Sequence, residues 1–204
     1  MIQLFRKDRM WRKRPLNNKY DVVIIGAGVH GLSTAYYLGK LGIKNVAILD
    51  KGYIGGGGSA RSTAIIRANY VTPEGIRFFK ESLHLYENLS QELEFNLLFS
   101  QMGRLDLGHT DSAINALRQR AEFNQIMGVN SRMVDAETVK ELVPPIDIRE
   151  GDDFPVLGAL YHPSAGTIRH DAVVWGYARG ASKLGASIHP FTEATGIGKS
   201  SSNS

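Results

Sequence analysis

Between Asp21 and Asp50 the spacing of apolar residues changes twice. Asp21-Val-Val-Ile-Ile25 is an unbroken run of branched apolar residues, the pattern of a strand buried on both faces of a parallel sheet. Gly26-Ala-Gly-Val-His-Gly31 interrupts it. Leu32 to Leu41 then sets small and apolar residues at helical spacing and stops at Gly42. Asn45-Val-Ala-Ile-Leu-Asp50 returns to strand character. Strand, turn, helix and strand in so short a stretch make a βαβ unit.

Further along, helices and short strands alternate. Gly52 to Thr63 (GYIGGGGSARST) is a loop with four consecutive glycines, Gly55 to Gly58. Pro73 opens a helix to about Phe95, with Ile76, Phe79, Leu83, Tyr86 and Leu93 on one face. Gly103 to Gly108 alternates like a half-buried strand. Ala113 to Met127 reads as an amphipathic helix, and Asp135 caps another through Leu142 that Pro144-Pro145 stops. Gly158 to Tyr161 reads as a strand. GTIRHDAVVW, Gly166 to Trp175, leads into a helix with apolar positions Val173, Val174, Tyr177 and Leu184. Asp171 is its expected N-cap and Gly185 its end. One more strand falls within Ala186 to Ile197, and the GKSSSNS tail is expected to be disordered. No internal repeat is found.

Composition narrows the classes. The 204 residues are 43% apolar and 9% aromatic, which suits a globular chain with a real core. No apolar run approaches the roughly 18 residues that span a bilayer. Cysteine is absent, which excludes disulfides and thiolate metal sites and agrees with a cytoplasmic, reducing location. The net charge of +4 is local: the first twenty residues hold seven Lys/Arg and the single Asp8, leaving 17 basic and 19 acidic residues elsewhere. Nucleic acid and membrane are therefore not expected partners. The arm itself, residues 1–19, is arginine-rich like a mitochondrial presequence but lacks the serines of one. The preferred reading is a solvated arm packing Phe5 and Trp11 on the surface.

The turn at Gly26 is a GxGxxG motif in its informative context. It follows a strand, opens a helix, and Asp50 ends the next strand 24 residues after Gly26. Gly26 permits the tight turn, Gly28 removes the Cβ that would block a pyrophosphate, and Gly31 lets helix and strand pack closely. The helix N-terminus offers free N–H groups to phosphate, and Asp50 can accept from both ribose hydroxyls. His30 reads as a tolerated polar residue that would meet a cofactor mainly through its backbone N–H. The motif alone does not separate FAD from NAD, and a lone His170 is by itself equally a capping-loop residue.

Three stretches together, DVVIIGAGVHGLSTAYYLGKLG, SARSTAIIRANY and GTIRHDAVVWGYARGASKLG, resemble the β subunits of heterotetrameric sarcosine oxidases, within the wider D-amino-acid-oxidase-like flavin amine oxidases. The resemblance runs from about Trp11 to Ile197. It implies an α/β fold: a Rossmann-like FAD-binding domain with part of an inserted α+β substrate domain. The implied segments are an arm at 1–19, FAD-binding at 20–70 and 158–197, partial substrate domain at 71–157, and a tail at 198–204.

The same resemblance implies that FAD sits on Gly26, Ala27, Gly28, Val29, His30 and Gly31. Asp50, where the family usually has Glu, meets the adenosine ribose, with Lys51 beside it. Thr63, Ile65 and Ala194 line the FAD, and Arg61 faces a second flavin, FMN. His170 matches the histidine that holds the FMN covalently, with Arg169 favouring the neutral imidazole or pairing with phosphate. The lack of cysteine agrees, since single-chain relatives anchor their flavin through one. Gly58 and Ser62 replace family asparagines, and the chain stops where the family continues through the rest of the substrate domain.

The implied reaction oxidises a secondary amine such as sarcosine, passes electrons from FAD to FMN and reduces oxygen to hydrogen peroxide. The one-carbon unit is released or captured by tetrahydrofolate on a partner subunit of the hetero-oligomer. No catalytic base is singled out, and Arg67 and Tyr70 are candidates for shaping the amine site. The rival readings are a proline- or glycine-type FAD enzyme in which His170 is idle, and a truncated, inactive product.

Overall fold

A computed structural model describes residues 10–148, 151 and 154–199. The expected packing of Phe5 and the tail beyond Lys199 lie outside them. In chain order the elements are β1 (Val22–Ile25), α1 (Val29–Lys40), β2 (Val46–Leu49), β3 (Ile65–Ile66), α2 (Pro73–Glu92), β4 (Arg104–Gly108), α3 (Asp111–Ile126), β5 (Arg132–Val134), α4 (Ala136–Leu142), β6 (Gly158–His162), β7 (Gly166–Thr167), α5 (His170–Lys183) and β8 (Ser187–His189). Among the described residues, no helix is long and apolar enough to cross a membrane. Two compact units result, one formed by 1–63, 90–97 and 169–204, the other by 64–89 and 98–168. From sequence the segment boundaries fall at 70/71 and 157/158; the compact units divide at 63/64, 89/90, 97/98 and 168/169.

The first unit is built on a parallel sheet of order β1-β2-β8, with Val22 opposite Val46 and Ile48 opposite Ile188. Helices α1 and α5 lie together, and small residues set how closely. A Cβ on Gly39 would stand 2.7 Å from Leu184 Cβ, and one on Gly180 would stand 2.9 Å from the Tyr36 ring. The Tyr36 and Tyr177 rings meet edge to face at 5.7 Å. Leu93 and Leu97 are buried in this unit, and Arg179 donates to the Glu94 carbonyl at 2.8 Å. The described part of the arm is anchored, since the Arg12 amide donates to Ser182 Oγ at 2.9 Å and Arg14 caps the carbonyls of Ser182 and Gly185 at the end of α5.

Two expectations fail here. The first strand is not buried on both faces. Val22 and Ile24 are half-buried, with Ile24 toward α1, whereas Val23 and Ile25 are 53% and 59% exposed. At β1 the described residues cover one face of the sheet only, so alternate side chains meet solvent. Nor is Asp171 the N-cap of α5. Arg169 occupies the cap with extended backbone, His170 is the first helical residue and Asp171 the second. A carboxylate at that position still serves the helix end, because Asp171 Oδ1 accepts from the Ala172 amide at 2.9 Å.

The second unit holds the antiparallel sheet β4-β6-β5 and the two-residue pair β3–β7. Ala68, Ile76, Leu83 and Val129 form one apolar cluster, and Val139, Val156 and Ala159 another. Asp135 caps α4 as expected, accepting from the Thr138 amide at 2.9 Å.

Candidate flavin cleft and arginine cluster

In the first unit the GxGxxG turn folds as its composition requires. Gly26 takes φ +107°, a conformation that L side chains rarely adopt. A Cβ on Gly31 would stand 2.0 Å from the Gly26 carbonyl oxygen, so only glycine lets α1 start there. Gly28 is the extended N-cap of α1. The helix lacks a side-chain cap of its own, and the Val29 amide donates instead to Ser59 Oγ at 3.0 Å, across the tetraglycine loop. Ser59 is a contributor that the sequence did not reveal. The space for it is the missing Cβ of Gly28, which would lie 3.0 Å from the hydroxyl.

Asp50, at the end of β2, divides its oxygens between two backbone amides. Oδ2 accepts from Ala27 at 2.7 Å and Oδ1 from Gly52 at 2.9 Å. The Asp50 carbonyl in turn accepts from the Thr192 amide at 2.7 Å, which brings the strand-end loop of β8 alongside. The resulting cleft has a volume of about 710 Å³ and is lined by Gly26, Asp50, Lys51, Arg61, Glu193 and Ala194 among others. Arg61 bridges the carbonyls of Gly56 and Gly57 at 3.0 and 2.9 Å, holding the glycine loop closed on itself.

These residues fit a dinucleotide. The cleft size is that of a cofactor pocket. A carboxylate has about four acceptor sites, so Asp50 retains capacity after two backbone N–H groups. The amides of His30 and Gly31 fall in the first helical turn, where no carbonyl lies a turn earlier in the helix. Of the turn only Gly26 lines the cavity; Ala27, Gly28, Val29, His30 and Gly31, and Gly58 in the glycine loop, do not, and Thr63 is exposed. Ile65 stands in β3 of the other unit, 44% exposed.

His170 is half-buried at the first position of α5, and among the described residues its ring carries no hydrogen bond. Arg169 does not turn to it. The guanidinium instead grips Asp171 with two parallel bonds, Nε to Oδ1 at 3.0 Å and Nη2 to Oδ2 at 2.6 Å. That pairing holds the Asp171 carboxyl below its ordinary range.

The second unit gathers Arg67, Arg104 and Arg120 with, among the described residues, one carboxylate, Asp106. Arg104 and Arg120 ion-pair with its two oxygens. Arg67 lies 4.0 Å over the Tyr70 ring, which stacks on Phe79 at 3.8 Å. Burial, and then the Arg104 charge, pull the Arg67 guanidinium below its ordinary value. The buried Nε of Arg120 has no acceptor among the described residues. The cluster therefore carries surplus positive charge and an unmet donor.

The family described as FAD dependent oxidoreductase matches residues 21–203. The chain belongs to that family. It is 44% identical over 191 residues to the sarcosine oxidase subunit beta of Rhodobacter capsulatus, a match covering 93% of this chain and 46% of that protein. The identity is also 44% to the sarcosine oxidase subunit beta of an Arthrobacter species, over 92% of this chain and 47% of the relative. Among solved structures, L-proline dehydrogenase from P. horikoshii superposes with a TM-score of 0.81 at 30% identity, over 89% of this chain and 46% of the other. The chain thus spans about half the length of the curated relatives it matches, and its α/β architecture is that of this FAD dependent oxidoreductase family.

Proposed function

We propose that this chain carries the first flavin-binding portion of a sarcosine-oxidase-type secondary amine oxidase that works as part of a hetero-oligomer. The observation that carries the reading is the Gly26–Gly31 turn tied through the Ala27 amide to Asp50, beside a cleft that Gly26 and Asp50 line, within a chain 44% identical to sarcosine oxidase β subunits. FAD is held by the backbone of Gly26, Ala27, Gly28, Val29, His30 and Gly31. Asp50 and Lys51 serve the adenosine end, Gly58, Thr63 and Ala194 supply further FAD contacts, and Arg61 faces the second flavin, FMN. FMN is attached covalently through His170, whose ring is not committed to Arg169 or Asp171 by a hydrogen bond.

Bound, the flavins supply the acceptor for the two electrons and hydrogen lost from the amine's C–N unit and their relay to oxygen. With sarcosine, oxygen and water consumed, the products are glycine, formaldehyde and hydrogen peroxide. The chain's own residues bind and orient. The arginine cluster supports an amine that also bears a carboxylate, because an anion at Arg67 offsets the surplus charge around Asp106.

A second reading, oxidation of a cyclic secondary amine such as proline, draws on the likeness to L-proline dehydrogenase at 30% identity. Co-expression with the other subunits, followed by oxygen uptake on N-methylglycine and on proline, separates the two. Turnover of N-methylglycine with peroxide release supports the first reading, turnover of proline alone supports the second, and neither supports an inactive product.

A further inference from the structure

The Arg67–Tyr70 segment is held from behind by groups that the reading above leaves without a role. Asn69 is fully buried, and its Nδ2 donates to Asp106 Oδ2 at 3.0 Å. A carboxylate only accepts. Asp106 therefore fixes the orientation of the Asn69 amide, with its NH2 toward the carboxylate and Oδ1 turned the other way. That Oδ1, together with the Asn69 carbonyl, accepts from Nη1 of Arg67 at 3.2 Å each.

One residue earlier the backbone is pinned by a histidine. His162, at the end of β6, is 1% exposed. The Asn130 carbonyl lies 2.7 Å from its Nδ1 and can only accept, so Nδ1 carries the proton. Nε2 is then the acceptor for the Ala68 amide, 3.2 Å away. Asn124 closes the far end by donating from Nδ2 to the Tyr70 carbonyl at 3.1 Å.

We propose that Asp106 and His162 are positioning residues for Arg67: Asp106 orients the Asn69 amide whose oxygen holds the guanidinium, and His162 pins the adjacent backbone at Ala68. Neither touches the substrate. The proposal rests on Arg67 as receptor for the carboxylate of the amine. The arrangement gives a mobile, surplus charge a single address, so that a carboxylate meets a guanidinium already in place and loses less ordering entropy on binding.

Two measurements test it. The first uses the full chain without flavin or substrate: hydrogen–deuterium exchange resolved at the Ala68 amide. Protection there, lost in His162→Ala, is expected, whereas exchange as fast as in an exposed loop overturns the proposal. The second uses the assembled holoenzyme with N-methylglycine. Asp106→Asn removes the acceptor-only partner, and the KM is expected to rise about tenfold with little change in kcat, the size of one hydrogen bond to a charged group. Asp106→Glu restores most of it, and Asn69→Ala with Asp106→Asn costs no more than Asn69→Ala alone. A fall in kcat at unchanged KM, or additive losses, overturns the proposal. If Asp106→Asn does not fold, the exchange result on the unsubstituted chain still decides. An assembly inert toward N-methylglycine counts against the amine reading and leaves the exchange result standing.

Discussion

The amide of Ala27 points at Oδ2 of Asp50 across 2.7 Å, so the acidic residue proposed to meet a ribose also braces the glycine turn proposed to meet the phosphates. Asp50 Oδ1 does the same for Gly52. Two loops of the cleft are tied to one carboxylate.

That double use sets the first prediction. Asp50→Asn offers one acceptor where two N–H groups converge and turns its NH2 onto the other. FAD affinity is expected to fall at least tenfold, with stability lowered as well, each by about 1.5–3 kcal/mol for hydrogen bonds to a charged group. Fluorescence titration of FAD and urea unfolding of the same protein measure the two losses. Lost affinity with no loss of stability would mean that Asp50 serves the ligand alone.

Gly31→Ala is the sharpest test of the turn itself. Its Cβ would be driven to 2.0 Å from the Gly26 carbonyl oxygen, which is backbone and cannot swing aside. A destabilisation of about 1–3 kcal/mol or more is expected in denaturant unfolding. Gly57→Ala is the control, since nothing lies within 4 Å of a Cβ there.

His162 gives a pH signature. Burial first, and then the charges of Arg67 and Arg104, hold its imidazole below the usual histidine value of 6.5, with the Asn130 hydrogen bond and Asp106 opposing. The folded state prefers the neutral ring, and the unfolded chain binds the proton more readily. The His162 contribution is thus fully present above about pH 6.5 and is lost as the pH falls from there toward the lowered folded value. Urea midpoints are expected to fall over that range and to fall less in His162→Gln. A residual slope of the same sign belongs to His189, which burial also lowers.

The βαβ unit was legible because each of its residues carries a local reason: branched apolar strands, glycines where a Cβ cannot fit, and an acid at the next strand end. The helix caps were legible only in part. Asp135 caps as its type suggests, whereas Asp171 stands two positions inside the cap and pairs with Arg169, the residue at the cap itself, an outcome that spacing does not resolve. The pair β3–β7 has two residues per strand, too few for alternation to show. Ser59 acts thirty residues from Val29, and the Asp106 network joins residues from 67 to 162, so both depend on contacts that no sequence window contains. The exposed face of β1 was misjudged because an apolar run reports preference for burial rather than what covers it.

His170 decides whether this chain holds the flavins of an amine oxidase as proposed. The measurement is the intact mass of the chain after co-expression with its partner subunits and acid precipitation, read together with in-gel flavin fluorescence. A mass increase of one FMN, absent in His170→Ala, is expected, with FAD released into the supernatant. A chain of unmodified mass that releases no FAD would contradict the proposal.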